Sequence, residues 1–204
     1  MRCLSVDDQF LHIQTTEIKD LPLFSNYYPY EPTPYEVLDL CFDNIELAEN
    51  DCFVDFGCGK GRVVFYVNHR YQIETVGIEL NKDYVQDALH NKMQYSKVHQ
   101  LAGSPVNFMN IKAEQYKIQL KDNVFFFFNP FSVQIFRKVI HNILKSQQRN
   151  LRKIYVILYY PSFEYIQYLK SETKFKIIKD VLVPNSSAYN THERIMIFEN
   201  QEDC

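Results

Sequence analysis

The chain has no tryptophan, only five glycines and no surplus of basic charge: 22 Lys and Arg stand against 25 Asp and Glu, a formal charge of −3. A broad cationic face is therefore excluded, and nucleic-acid binding would need a local patch. The one local cluster, Lys145, Arg149, Arg152 and Lys153, falls at the end of a predicted helix, where basic side chains complement the helix dipole without any ligand. Nucleic acid is not expected as a partner. No long hydrophobic run exists either. The longest strongly apolar stretch, Val124 to Phe128, is far too short to span a bilayer, and the first ten residues lack a signal peptide's apolar core. The expectation is a soluble, cytoplasmic protein with no membrane partner. Cysteines at 3, 41, 52, 58 and 204 form no CxxC pair, and the odd count suits free thiols in a reducing compartment. His12, His69, His90, His99, His141 and His192 show no metal or triad spacing, and no nucleophile elbow is present. No metal is expected.

What is present is core material. At 204 residues and 46% hydrophobic, the chain is long enough for one well-packed core and short for two domains. The 16 Phe and 15 Tyr fit ordinary packing in strands and helices. Residues 1–50 read as an extended N-terminal segment, carrying Tyr27, Tyr28 and Tyr30, followed by a helix that packs on a core spanning 51–204. That helix is predicted to start with Thr33 as cap, Pro34 in first position and Glu36 completing a capping box, with Val37, Leu38 and Cys41 on its buried face.

From Asp51 onward, strand-like and helix-like segments alternate, the pattern of an α/β fold with a parallel sheet covered on both faces. The predicted strands are Cys52–Phe56, Thr75–Glu79, Val106–Met109, Asn123–Phe128, Ile154–Tyr159, Phe175–Val181 and Arg194–Glu199. The last two, separated by a Pro-Asn-Ser-Ser loop, read as a hairpin at a sheet edge. Asn81, Ser132 and Ser162 open helices. Their inward residues are predicted as Val85, Ala88, Leu89 and Met93 in the first, and Phe136, Val139, Ile140, Ile143 and Leu144 in the second. Phe163, Ile166 and Leu169 face inward in the third.

The most informative stretch is Phe53-Val-Asp55-Phe-Gly57-Cys58-Gly59-Lys-Gly61-Arg62, a buried strand running into a glycine-rich turn and a helix. Three glycines in five residues allow close approach of a polar ligand, and the helix start offers free N–H groups. A dinucleotide site would place a third glycine where the bulky Arg62 stands, which argues against nicotinamide or flavin dinucleotides. A second strand, Val76-Gly77-Ile78-Glu79, ends in a carboxylate suited to a pair of ribose hydroxyls. Together these resemble the first two motifs of the Rossmann-like, class I S-adenosylmethionine-dependent methyltransferases, and within them small bacterial members with a GCGKGR loop.

That resemblance implies S-adenosylmethionine as cofactor, held by Asp55, Gly57, Cys58, Gly59, Gly61 and Glu79. It places Ala113 and Glu114 by the adenine, although Lys112 stands where the family has Asp. It also implies a seven-stranded sheet in the order 3-2-1-4-5-7-6 with the last strand antiparallel. Asn129-Pro130-Phe131 resembles a shortened form of the motif of nitrogen-directed methyltransferases. By that likeness Asn129 orients the acceptor, Pro130 stiffens the turn and Phe131 packs on the acceptor. Read without the resemblance, Asn-Pro turns the chain and Ser132 caps the next helix. Tyr28, Tyr30, Tyr35, Tyr159 and Tyr160 are candidate walls of an acceptor pocket. The acceptor itself, a small amine or a protein side chain, stays open, as does oligomeric state. A noncatalytic cofactor-binding or interaction module is the alternative.

Overall fold

The computed structural model describes residues 6–19, 24–99, 105–184 and 192–200. Seven strands form one sheet: β1 (Cys52–Phe56), β2 (Glu74–Glu79), β3 (Val106–Asn110), β4 (Val124–Phe128), β5 (Ile154–Tyr159), β6 (Lys176–Leu182) and β7 (Arg194–Asn200). Their order is β3-β2-β1-β4-β5-β7-β6. β1 to β5 pair in parallel, and β7 lies antiparallel between β5 and β6. The sheet order and the β6–β7 hairpin are those expected; of the Pro-Asn-Ser-Ser stretch between the two strands only Pro184 falls within the described residues. Strand order reverses between β1 and β4, which opens a crevice outside their carboxyl ends.

Alternation along the strands assigns the two faces. Val54, Phe56, Phe125 and Phe127 join α5 (Val133–Arg149) and α6 (Phe163–Glu172) in one cluster. Phe53, Val124 and Phe126 join α2 (Tyr35–Phe42) and α3 (Arg62–Tyr71) in another. α4 (Lys82–Val98) continues this second layer, with Tyr95 packed on Phe65 of α3 at a ring separation of 5.0 Å. Each fully buried Phe contributes about 1.5–3 kcal/mol through burial, and the Phe125-Phe126-Phe127 run fills both layers because successive side chains point to opposite faces. The connection from β3 to β4 carries only a 3-10 turn, Ala113–Gln115. A four-residue helix, α1 (Asp8–Leu11), leads the N-terminal segment.

Helix ends and faces depart from expectation in four places. α2 is capped by Pro34 without a side-chain bond, and Thr33 is buried with its carbonyl accepting from Arg62. Ser132 takes the N-cap position of α5, but its hydroxyl makes no cap bond. In α4, Leu89 and Met93 are exposed, and the inward stripe is Tyr84, Val85, Ala88, Asn91 and Tyr95. Asn91 disguised that stripe, since its amide binds the Gln14 backbone on both sides and the Lys60 carbonyl. In α6, Phe163 is 66% exposed and Tyr165, Tyr168 and Leu169 face inward. Asn81 and Ser162 do cap α4 and α6, accepting from Asp83 and Tyr165. Cys41, Cys52 and Cys58 are free and buried, while Cys3 and Cys204 lie outside the described residues.

Candidate active site

A cavity of about 460 Å³ lies at the reversal point, within the size range of small-molecule sites. Gly57, Glu79, Asn129 and Pro130 line its floor, and Tyr27, Tyr28 and Tyr30 reach it from the N-terminal segment. Tyr84, Phe128 and Tyr160 complete the aromatic wall.

The glycine loop is held by backbone bonds to β2. The Gly57 and Cys58 N–H groups both donate to the Ile78 carbonyl at 2.8 and 3.1 Å, and the Gly59 N–H donates to Glu79 Oε2 at 3.0 Å. Gly57 (φ +85°) and Gly59 (φ +51°) occupy the left-handed region, where a side chain would be strained. Space forbids one as well. A Cβ on Gly57 would fall 2.5 Å from Pro130, and one on Gly59 would fall 2.1 Å from the Tyr30 ring. The loop is thus clasped between the β4 turn and the N-terminal segment.

Two carboxylates face this loop. Glu79 accepts from Gly59 through one oxygen and from Asn81 through the other, at 3.0 and 2.7 Å. Each oxygen keeps a lone pair for a further donor, so a ribose diol fits the residue as it stands. Burial pushes the Glu79 pKa up, opposed by its backbone donors. Asp55 is 3% exposed and borders a smaller hollow with Gly57, Cys58 and Arg62. Burial, then the nearby Glu79 charge, push its carboxyl well above the usual carboxylate range. A cationic ligand group is the partner this pair lacks.

Asn129 follows β4 with φ +39°, and its side-chain Oδ1 is buried without a hydrogen-bond partner while the residue lines the cavity. A strained backbone carrying an orphaned acceptor costs stability, and such sites cluster where a ligand supplies the missing donor. Pro130 also lines the cavity, and its carbonyl accepts from the Tyr28 N–H at 3.0 Å.

The other predicted site residues stand elsewhere. Phe131 is fully buried in the core beneath Tyr27, ring to ring at 5.6 Å, so it does not contact the cavity as expected. Gly61 starts α3 and packs toward Phe108 and Phe65, which makes its role one of packing. Gly59 lies under Tyr30. Ala113 and Glu114 are bonded to Tyr27 and do not line the cavity. Among the tyrosines, Tyr35 turns away to bond Asp8, and Tyr159 is buried.

Sequence reasoning missed the anchor of the N-terminal segment. Arg62, read only as an obstacle to a dinucleotide, is 7% exposed; it donates to Thr15 Oγ1 at 2.6 Å and to the Thr33 carbonyl at 3.0 Å, and lies 3.4 Å from Asp8. The signal was there: a charge directly behind a glycine loop demands buried partners. In the basic cluster, Arg152 is engaged by the Asp122 carbonyl and Ser146, and Lys153 by Glu199. Among the described residues, no group of three or more His, Cys, Asp or Glu could hold a metal, and no helix is long and apolar enough to cross a membrane.

Solved structures share this architecture. An RNA methyltransferase from Salinibacter ruber in complex with S-adenosyl-L-homocysteine superposes with a TM-score of 0.63 at 18% identity, covering 85% of this chain and 96% of that one. The N-methyltransferase NodS from Bradyrhizobium japonicum WM9 gives a TM-score of 0.58 at 12% identity, covering 82% and 93%. The sheet order and the cavity at its reversal point are those of the Rossmann-like fold that these methyltransferases share. A family model described as histone methylation protein DOT1 matches residues 8–127, and the chain belongs to that family. It is also 30% identical over 66 residues to a protein-lysine N-methyltransferase of Saccharolobus islandicus (strain REY15A). That match spans 32% of this chain and 41% of the relative's length.

Proposed function

We propose that this protein transfers a methyl group from S-adenosylmethionine to a nitrogen of a protein side chain, with lysine as the acceptor. The observation that carries the reading is the buried, unpartnered Asn129 Oδ1, held on a strained backbone in the cavity that Gly57 and Glu79 also line. The similarity to a protein-lysine N-methyltransferase and the family description support a protein acceptor.

The residues present fit the cofactor. Asp55, raised by burial and lacking a cationic partner, suits its amino group, and Glu79 suits its ribose. When bound, the cofactor would supply a methyl group on a sulfonium, activated for transfer to a lysine amine that has already lost its ammonium proton to solvent. Asn129 Oδ1 accepts a hydrogen from the amine and fixes its lone pair in line, and alignment of this kind is worth orders of magnitude in rate. Tyr28, Tyr160 and Phe128 form apolar walls suited to an aliphatic stem, while the Glu31 carboxylate at the same cavity favours a cationic chain as it enters.

The test is incubation with tritium-labelled methyl donor and lysine-rich protein substrates, followed by amino-acid analysis. Methyllysine formed by the native chain and lost in Asn129→Ala supports the reading. Binding of the cofactor with no transfer to any protein or amine would favour a noncatalytic module.

A further inference from the structure

One tyrosine hydroxyl closes two groups that the fold places side by side. The Ala113 backbone N–H donates to the Tyr27 hydroxyl at 3.1 Å, and that hydroxyl donates to Glu114 Oε2 at 2.9 Å. A donor and an acceptor on consecutive residues, just past the end of β3, thus receive a single O–H group from the N-terminal segment. An adenine edge offers the same pair in reverse: the exocyclic N6 amino group donates and the adjacent ring N1 accepts. The phenol and the purine edge are therefore alternative occupants of one pair of groups.

Cavity shape points the same way. Tyr27 lines the main cavity, but Ala113 and Glu114 do not. Glu114 instead borders a separate open groove of about 470 Å³ with Arg137 and Tyr168. Tyr27 is the wall between Glu114 and the main cavity, so rotating its ring outward joins the cavity to the Ala113–Glu114 pair. The backbone around it is fixed, with the Tyr28 N–H on the Pro130 carbonyl and the Ser132 N–H on the Asn26 carbonyl, at 3.0 and 2.8 Å. Displacing the hydroxyl then needs only the Tyr27 side chain to turn.

We propose that Tyr27 sets cofactor affinity as an intramolecular competitor: its hydroxyl occupies the Ala113–Glu114 pair, and the adenine of the cofactor takes that pair by displacing it. The proposal rests on the cofactor reading above. A side chain that must yield before the ligand seats lowers apparent affinity by the stability of its own contacts. It also keeps a buried N–H and a carboxylate satisfied whenever adenine is elsewhere.

The experiment is calorimetric titration of the full chain and of Tyr27→Phe with S-adenosylhomocysteine and with S-inosylhomocysteine, whose purine edge has donor and acceptor exchanged. Thermal melts with and without saturating S-adenosylhomocysteine accompany it. The competitor model expects Tyr27→Phe to bind S-adenosylhomocysteine roughly three- to tenfold tighter than the native chain, the net worth of about one ordinary hydrogen bond. Little of that gain extends to the inosyl compound. The uncomplexed variant melts lower than the native chain, and the saturated complexes melt together. Equal or weaker binding by Tyr27→Phe, or melting temperatures that fall alike with and without ligand, overturns the proposal. Failure of the native chain to bind S-adenosylhomocysteine overturns the cofactor reading itself, and the competitor model with it.

Discussion

Glu79 holds the glycine loop in place: its Oε2 accepts the Gly59 backbone N–H at 3.0 Å, while its Oε1 accepts the Asn81 N–H at 2.7 Å. One carboxylate thereby couples the loop after β1 to the start of α4, in a residue that also lines the cavity. Glu79→Ala should remove both the ribose acceptor and the loop's tether. Two hydrogen bonds to a charged acceptor predict a loss of roughly 10²-fold or more in S-adenosylhomocysteine affinity. Calorimetry on variant protein shown to be folded by circular dichroism checks this, and a change below threefold would remove Glu79 from the site.

Asp55 carries a folded-state pKa raised by burial and by Glu79. The unfolded value is near 3.9, so the folded state binds more protons. Stability is therefore full below the unfolded pKa and is lost as pH rises from there toward the raised folded value. Asp55→Asn should flatten this pH dependence. At neutral pH the uncomplexed variant should melt higher, by on the order of 2–4 °C for each kcal/mol relieved. Cofactor binding should weaken in the same variant, because the cationic amino group loses its counter-charge. In the native chain, affinity should rise with pH through the raised pKa and level off above it. A variant less stable than the native chain across the whole pH range would show that the buried charge is compensated.

The strands and the glycine turn were readable because they follow from local signals, buried runs such as Val124–Phe128, the turn after β1 and the carboxylate ending β2, whereas the order of the strands was implied only by the family resemblance those motifs carry. The periodic pattern failed where a polar residue sits inside. Asn91 occupies the buried stripe of α4 and displaced the expected face toward Leu89 and Met93. Contacts distant in sequence were invisible for a different reason. Tyr27 meets Ala113 and Glu114, and Arg62 meets Thr15 and Thr33, through an irregular segment with no periodicity to read. Phe131 was misplaced because Asn-Pro-Phe fixes the turn but not which side of it the ring enters.

Asn129 combines a strained backbone with an orphaned side-chain oxygen, so its stability and activity should move in opposite directions. Asn129→Gly relieves the positive φ, worth about 1 kcal/mol, and should raise the melting temperature. Asn129→Ala keeps the strain but removes the orphan. Both should leave S-adenosylhomocysteine affinity within about twofold and cut methyl transfer by roughly 10²-fold, the cost of a misaligned acceptor. Single-turnover assays with labelled donor separate transfer from binding. Full activity in either variant would take Asn129 out of the reaction.

Arg62 ties the N-terminal segment to the core, and the cavity depends on that tie because Tyr27, Tyr28 and Tyr30 all belong to the tethered segment. Its guanidinium also stacks on Tyr35, 4.7 Å from the ring centroid. Asp8 lies 3.4 Å away and takes the Tyr35 hydroxyl and two Thr15 donors. Arg62→Met removes a buried cation while leaving Asp8 in place, a class of change that costs about 3–5 kcal/mol. The expected fall in melting temperature is on the order of 10 °C for a chain of this size. Arg62→Lys retains the charge but cannot reach Thr15 and the Thr33 carbonyl together, so it should fall between the two. Limited proteolysis read by mass spectrometry distinguishes local release from global unfolding. Early cuts before Tyr35 in Arg62→Met, with the remainder protected and cofactor affinity lowered, identify Arg62 as the anchor of the cavity wall. A native cleavage pattern with reduced stability would assign it to the core alone.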